Sequence, residues 1–142
     1  MQTFLPEPDF SISAMRLDRQ RLGKQRVEAK QIYLALTDSS YGWQNHPAVK
    51  MWRGYEAALA EYGFCICLEW RNREYADSLL PWFRERLRDE DDTPRPPWIG
   101  DEAFHDSHRS NLLRKLPEHY RQFWPELRSD LPYIWPAEVP HA

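Results

Sequence analysis

The chain has 142 residues, the size of one ordinary domain, and 42% of them are hydrophobic, which is enough for a sizeable core. Its net charge of −3 and pI near 5.9 argue against a strongly basic protein that binds nucleic acid without specificity. No N-terminal apolar run resembles a signal peptide and no stretch is long enough to span a bilayer, so we expect a cytoplasmic protein with no membrane partner.

The first part of the chain predicts an extended segment followed by two helices. Residues 1–8 contain two prolines, which cannot donate backbone hydrogen bonds and which push the preceding residue out of helical geometry. Asp9 is a favourable cap for a short helix over 9–16. A long helix is then expected over 18–36.

The firmest prediction is a central helix over 47–72. Proline at position 47 is tolerated in a first turn, where its missing N–H costs nothing, and Asn45 lies just before it. The apolar residues recur close to every seventh position: Ala48, Trp52, Tyr55, Leu59, Tyr62, Ile66 and Trp70. Gly54 and Gly63 fall within the helix and predict close approach of a neighbouring element.

The second half of the chain predicts shorter helices and a tail. Helices are expected at 74–88, 101–116 and 117–124. An acidic and proline-rich loop, 89–100, separates the first two, and the proline-rich tail carries aromatic residues that should pack on the body. We see no repeats and no convincing strands. The sequence therefore predicts one compact, all-α helical bundle over residues 1–142 with a Pro-rich C-terminal tail.

One face of the 18–36 helix combines a carboxylate with basic residues. Positions three and four apart share a face, so Arg21, Lys24, Gln25 and Glu28 project together. Such a carboxylate could serve acid–base chemistry on an anionic substrate, or the helix could be a solvated one with surface salt bridges. The segment alone favours the second interpretation.

Histidines, cysteines and tryptophans give weaker indications. His105 and His108 share a face, but without a matching carboxylate motif they favour hydrogen bonds to backbone or phosphate over a metal. Cys65 and Cys67 point to opposite sides of a helix and cannot easily share a metal or form a disulfide. We predict no metal and no cofactor. Three tryptophans could stack on an extruded base. Positions 43 and 98 lie in predicted loops and are the better candidates, whereas position 52 belongs to the core stripe.

Several of these residues together resemble a known family. The pattern Leu17…Arg21-Leu22…Glu28, followed by Asn45-His46 at the start of a long helix, is similar to the phage-type pyrimidine-dimer DNA glycosylases, also called endonuclease V. Those proteins are small all-α single domains with an aromatic and basic cluster near the C-terminus, here residues 117–124. The pattern Phe104-His105…Ser107-His108-Arg109-Ser110…Leu113…Lys115 is also similar to a branch of small bacterial proteins.

The resemblance implies a DNA-repair glycosylase and abasic-site (AP) lyase acting on damaged duplex DNA. In that family an amine attacks C1′ of the damaged nucleotide, the base leaves, an imine forms, and β-elimination cuts the strand. By position Glu28 matches the residue that transfers protons. Substrate-binding residues implied by the match, or expected from clustered basic charge, are Arg21, Lys24, Arg26, His46, Arg109, Tyr120 and Arg121.

The N-terminus departs from the family pattern. The family's nucleophile is the α-amine of a Thr exposed by removal of the initiator Met, whereas this chain begins Met1-Gln2-Thr3 and Gln is too large for that removal. We therefore expect the α-amine of Met1 to be the catalytic nucleophile, with the Lys24 side chain as the other candidate. If neither acts, the chain is a non-catalytic module that binds nucleic acid or protein on the same scaffold. The sequence indicates neither the lesion nor the oligomeric state.

Overall fold

The computed structural model describes residues 1–89 and 92–136. Part of the acidic run at 89–92 and the last six residues of the proline-rich tail lie outside this description. The described residues form seven helices and no strand. The helices are α1 (Phe10–Arg16), α2 (Arg19–Thr37), α3 (Pro47–Lys50), α4 (Glu56–Asn72), α5 (Leu80–Arg84), α6 (Glu102–Lys115) and α7 (Pro117–Tyr120). The all-α prediction is confirmed.

Side-chain caps determine where three helices begin. Asp9 accepts a hydrogen bond from the Ile12 amide at 3.0 Å and starts α1, and Asp18 accepts one from the Arg21 amide at 3.4 Å and starts α2. Asp101 does the same for α6. These carboxylates satisfy first-turn amides that have no partner within the helix. The predicted helices at 9–16, 18–36 and 101–116 therefore agree with the structure to within about one residue at each end.

The predicted single helix over 47–72 is wrong, because it is two helices. Residues 51–54 form turns between α3 and α4, and Gly54 has φ +90°, a left-handed conformation that no helix interior can contain. The Gly54 amide donates to Glu56 Oε1 at 3.1 Å. The apolar spacing nevertheless identified core residues correctly, since Trp52 is fully buried in the turn between the helices.

The predicted helix over 74–88 is reduced to the short α5. Asp77 explains why, because its buried carboxylate accepts hydrogen bonds from Arg26 Nε at 2.8 Å and from the Leu80 amide at 2.8 Å. These bonds hold the preceding residues in a non-helical path and place Pro81 in the first turn of α5 rather than at a kink. The predicted helix over 117–124 likewise ends early, at Tyr120.

The core forms around α4, which packs against α1, α2 and α5. Gly63 makes the predicted close approach, because a Cβ there would lie 2.2 Å from a ring carbon of Phe83. Cys67 is buried, Cys65 is half-buried, and both are free thiols, as expected. Within the described residues, no helix is long and apolar enough to cross a membrane.

The two loop tryptophans differ in exposure. Trp98 is 7% exposed, packs edge-on against Trp52 and donates to the Met51 carbonyl, so the prediction that it is available for stacking is wrong. Trp43 is 57% exposed and has φ +70°. Of the two predicted loop candidates, only Trp43 presents an open aromatic surface.

Candidate active site

The first six residues, which we call the arm, pass through the interior of the protein. Gln2, Thr3, Phe4 and Leu5 are buried although they belong to no helix or strand. Buried backbone groups need hydrogen-bond partners, and in the arm side chains from α2, α4 and α6 provide most of them. The arm is therefore fixed between these helices.

The two α6 histidines hold the backbone of Leu5. His108 Nδ1 accepts from the Leu5 amide at 2.9 Å, and His105 Nδ1 lies 2.8 Å from the Leu5 carbonyl. His105 Nε2 accepts from the Gly100 amide, so its proton is on Nδ1 and is donated to Leu5. Burial lowers the pKa of both rings, that of His108 to about 3, which keeps them neutral. The predicted hydrogen bonding to backbone is confirmed.

The arm brings the start of the chain beside Glu28. The Gln2 amide donates to Glu28 Oε2 at 3.2 Å, and Gln25 Nε2 donates to the same oxygen at 3.0 Å. Met1 and Glu28, both half-buried, line a cavity of about 290 Å³ that we call the cleft. Its wall also includes basic and aromatic side chains, namely Arg21, Lys24, Lys115, Tyr133 and Trp135.

A more open groove of about 750 Å³ lies on the other side of Glu28. It shares Gln20, Lys24 and Glu28 with the cleft and continues along α2 to Trp70. Lys24 is exposed at the junction and, within the described residues, forms no ion pair. The Glu28 carboxylate thus lines both cavities. The Lys24 ammonium beside it is available to pair with an anionic group of a substrate.

His46 lies close to the same site. Its Nδ1 accepts from the Ala48 amide at 3.0 Å, so it caps α3, and its ring centre is 6.2 Å from that of the cleft residue Trp135. Partial burial and the positive charge of the N-terminus lower the pKa of His46, while Glu28 raises it. His46 therefore lies close enough to the N-terminus and to Glu28 for the charge of each to act on its imidazole.

Comparison with known proteins identifies the family. A sequence model described as pyrimidine dimer DNA glycosylase matches residues 1–80, more than half of the chain. The chain belongs to the pyrimidine dimer DNA glycosylase family. The family belongs to DNA repair and acts on DNA. A search of curated proteins and a search of solved structures each found no match.

The residues named from sequence are divided between the cleft and structural contacts elsewhere. Met1, Arg21, Lys24 and Glu28 meet at the cleft, and His46 lies behind its aromatic wall. Arg21 also pairs with Asp18 at 3.2 Å. Of the basic residues predicted to bind the substrate, Arg21 and Lys24 therefore lie at the cleft.

Two predicted arginines make structural contacts. Arg26 borders the groove but is bound to Asp77, which connects α2 to the segment before α5. Arg109 donates to the Pro6 carbonyl at 2.6 Å and pairs with Glu7, Glu102 and Asp106. Arg109 lines neither the cleft nor the groove.

Tyr120 and Arg121 also make structural contacts. The Tyr120 hydroxyl donates to the Asp18 carboxylate and accepts from the Asp18 amide, which joins α7 to the start of α2. Although burial opposes ionisation, hydrogen bonds from Tyr120 and Arg21 lower the pKa of Asp18. Arg121 donates to the Leu127 carbonyl at 2.7 Å and holds the start of the tail.

Among the cleft residues to which the sequence assigned no site role are Gln25, Lys115, Tyr133 and Trp135. Lys115 ends α6, and Tyr133 and Trp135 come from the tail, far along the chain from Glu28. Gln25 shares the face of Glu28 on α2, and only its burial distinguishes it from a surface glutamine. The prediction that the tail aromatics pack on the body is confirmed by the contact of Tyr133 with His108.

Proposed function

We propose that the protein is a glycosylase that excises pyrimidine dimers through an imine formed by the Met1 α-amine, with Glu28 as the proton-transfer residue. The observation that carries the proposal is the hydrogen bond from the Gln2 amide to Glu28 Oε2 at 3.2 Å. It sets the chain start one residue away from a carboxylate inside the same cleft. An amine nucleophile and its acid–base partner need this proximity.

The reaction uses both groups in turn. The amine nitrogen bonds to C1′ as the damaged base leaves with the electrons of the glycosidic bond. Transfer of an amine proton to the ring oxygen then opens the sugar to a protonated imine. Glu28 takes a proton from C2′, and the electrons released expel the 3′ phosphate oxygen, which cuts the strand. The anionic carboxylate also stabilises the cationic imine.

The surroundings of the cleft fit a DNA substrate. Arg21, Lys24 and Lys115 place positive charge at its wall, suited to the phosphates on either side of a damaged nucleotide. Tyr133 and Trp135 offer flat surfaces on which an extruded base can stack. Because the chain as a whole carries a net negative charge, we expect DNA to bind at this basic face rather than over the whole surface.

Two amines compete for the role of nucleophile. α-Amines lose their proton more readily than lysine side chains, so a larger fraction is reactive near neutral pH. That property favours Met1 over Lys24, although both line the cleft. Selective acetylation of the N-terminus and a Lys24→Ala variant separate them.

Borohydride trapping tests the proposal directly. Reduction of an imine attaches the protein covalently to DNA, so incubation with duplex carrying a pyrimidine dimer or an abasic site should give a shifted band, and undamaged duplex should not. N-terminal acetylation should abolish the band and Lys24→Ala should retain it. DNA binding without any trapped product would refute the imine mechanism and favour the non-catalytic module.

A further inference from the structure

Gln25 has an unusual environment for a glutamine on the polar face of a helix. It is 1% exposed, and each end of its amide is occupied. Nε2 donates to the Gln2 carbonyl at 2.8 Å and to Glu28 Oε2 at 3.0 Å. Oε1 accepts from the Phe4 amide at 3.0 Å and from the Tyr62 hydroxyl at 2.7 Å. Two donors and two acceptor sites are all that a primary amide has.

The pattern of these bonds aligns the arm. The amide of Gln25 donates to the carbonyl of residue 2 and accepts from the N–H of residue 4, which is the pairing that a neighbouring parallel strand would supply. No strand is present in the described part of the chain, so one side chain takes its place. A shift of the arm by one residue would break both bonds.

The orientation of the amide is determined by its neighbours. If it were turned over, its oxygen would face the Glu28 carboxylate and the Gln2 carbonyl, and its NH₂ would face the Phe4 N–H. Tyr62, fully buried, lies 2.7 Å from Gln25 Oε1 and 2.8 Å from the Phe4 carbonyl, and its single hydroxyl proton serves one of them at a time. Neither a carboxylate nor an apolar side chain can make the same set of bonds.

We propose that Gln25 is a positioning residue that aligns the arm with Glu28, so that the Met1 amine and the carboxylate reach the same sugar. This inference rests on the proposed imine mechanism and adds to it the residue that sets its geometry. Gln25 itself makes no bond to the reacting atoms in this proposal. It acts through the two groups that its NH₂ joins, the Gln2 carbonyl and the Glu28 carboxylate.

Gln25→Met is the main test, with Gln44→Met as a matched control. Met keeps the length of the side chain without its hydrogen bonds. Gln44 Nε2 likewise lies within hydrogen-bond distance of backbone carbonyls, those of Ala35, Asp38 and Tyr41, but of none in the arm. Single-turnover trapping on abasic duplex at saturating protein should slow about 100-fold in Gln25→Met, because small misplacement of reacting groups costs that much. It should be unchanged in folded Gln44→Met.

Two further measurements distinguish positioning from simple loss of structure. The Kd for abasic duplex should stay within about threefold of the unaltered protein, and hydrogen exchange should speed up at the Phe4 amide while the α4 amides remain protected. Tyr62→Phe, which keeps Gln25 but removes one donor, should slow trapping by about tenfold. It carries the test if Gln25→Met fails to fold.

The outcomes separate this inference from the proposed function. If the unaltered protein traps and Gln25→Met traps at the same rate, the positioning role is refuted and the imine mechanism stands. A rate that falls only in proportion to DNA affinity also refutes it. If the unaltered protein traps nothing, the imine mechanism fails and the positioning role fails with it.

Discussion

Helices α2 and α6 are both rich in charged and polar residues, but they use them differently. In α6 the residues His105, Ser107, His108 and Ser110 are buried, and each contacts backbone of the arm, the tail or a neighbouring turn. In α2 one polar residue, Gln25, is buried, and Glu28 and Lys24 line an open cleft. Polar residues thus build the scaffold in one helix and the candidate site in the other.

The difference shows that hydrogen-bond partners, rather than residue type, identify a site. Arg109 and Lys24 are both cations that the sequence assigned to DNA binding. The arginine is 12% exposed in its side chain and surrounded by acceptors, whereas the lysine is exposed and faces two cavities. A cation already neutralised by protein carboxylates gains little from a phosphate.

Glu28→Gln should have the largest effect on the α2 side of the comparison. The amide is nearly isosteric but cannot take a proton, so strand cleavage should fall by about 1,000-fold. Circular dichroism and DNA affinity should stay close to those of the unaltered protein. Glu118→Gln, at an exposed position in α7, is the control and should cleave normally. If Glu28→Gln cleaves at the rate of the unaltered protein, the carboxylate transfers no proton and is only a salt-bridge partner.

Arg109→Met tests the α6 side. The variant leaves the Pro6 carbonyl without its donor and removes an ion pair from each of three carboxylates, of which Glu7 keeps Arg16 as a partner, so the free energy of unfolding should drop by about 2–3 kcal/mol. Urea denaturation measures the loss, and Arg128→Met, in an exposed pair with Asp130, should show none. If Arg109→Met instead lowers the salt dependence of DNA binding at full stability, the residue contacts phosphate and the comparison fails.

His108 predicts acid sensitivity of the scaffold. Burial lowers the pKa of His108 to about 3, below the ordinary value of 6.5, so protons bind preferentially to the unfolded chain between these values. Stability is therefore full above about pH 6.5 and falls as the pH drops, by roughly 2 kcal/mol at pH 5. Asp18 and Asp77, whose pKa values are lowered from 3.8, add to the loss of stability only as the pH falls towards and below 3.8.

Denaturation midpoints at pH 7, 6 and 5 measure the effect. His108→Asn keeps an oxygen that can accept from the Leu5 amide but cannot titrate, so its stability should depend less on pH over this range. Some dependence should remain, because burial also lowers the pKa of His105. A variant as acid-sensitive as the unaltered protein would show that the proton is taken up elsewhere.

The fold was predictable where a local rule decides the conformation. Three helix starts followed from the aspartates at positions 9, 18 and 101, and the core position of Trp52 followed from the apolar stripe. Both patterns depend only on residues that are close together in the chain. The shortening of the helix predicted over 74–88 depends instead on a tertiary contact. Asp77 holds its segment through Arg26, which is 51 positions away in the chain, and sequence spacing gives no indication of that pairing.

The candidate site was predictable on α2 and at the start of the chain. Glu28, Arg21 and Lys24 follow from helical spacing and the family resemblance, whereas Lys115 and Trp135 are brought to the cleft by the path of the chain after α5. The spacing of residues along the sequence also could not predict that the arm is buried. A segment with two prolines predicts extended backbone, but its burial depends on the histidines of α6 and on Gln25.

Lys24→Ala should have the smallest effect of these variants, and it distinguishes a DNA contact at Lys24 from a role as the nucleophile. Because Lys24 is exposed and forms no ion pair within the described residues, its removal should leave stability unchanged and lower the log–log salt slope of DNA binding by about 1. Lys50→Ala, at an exposed α3 position outside the cleft, is the matched control and should keep the slope. Equal losses in both variants would mean that DNA is held by diffuse charge rather than at the cleft. Loss of borohydride trapping in Lys24→Ala alone, with binding retained, would move the nucleophile from Met1 to the lysine.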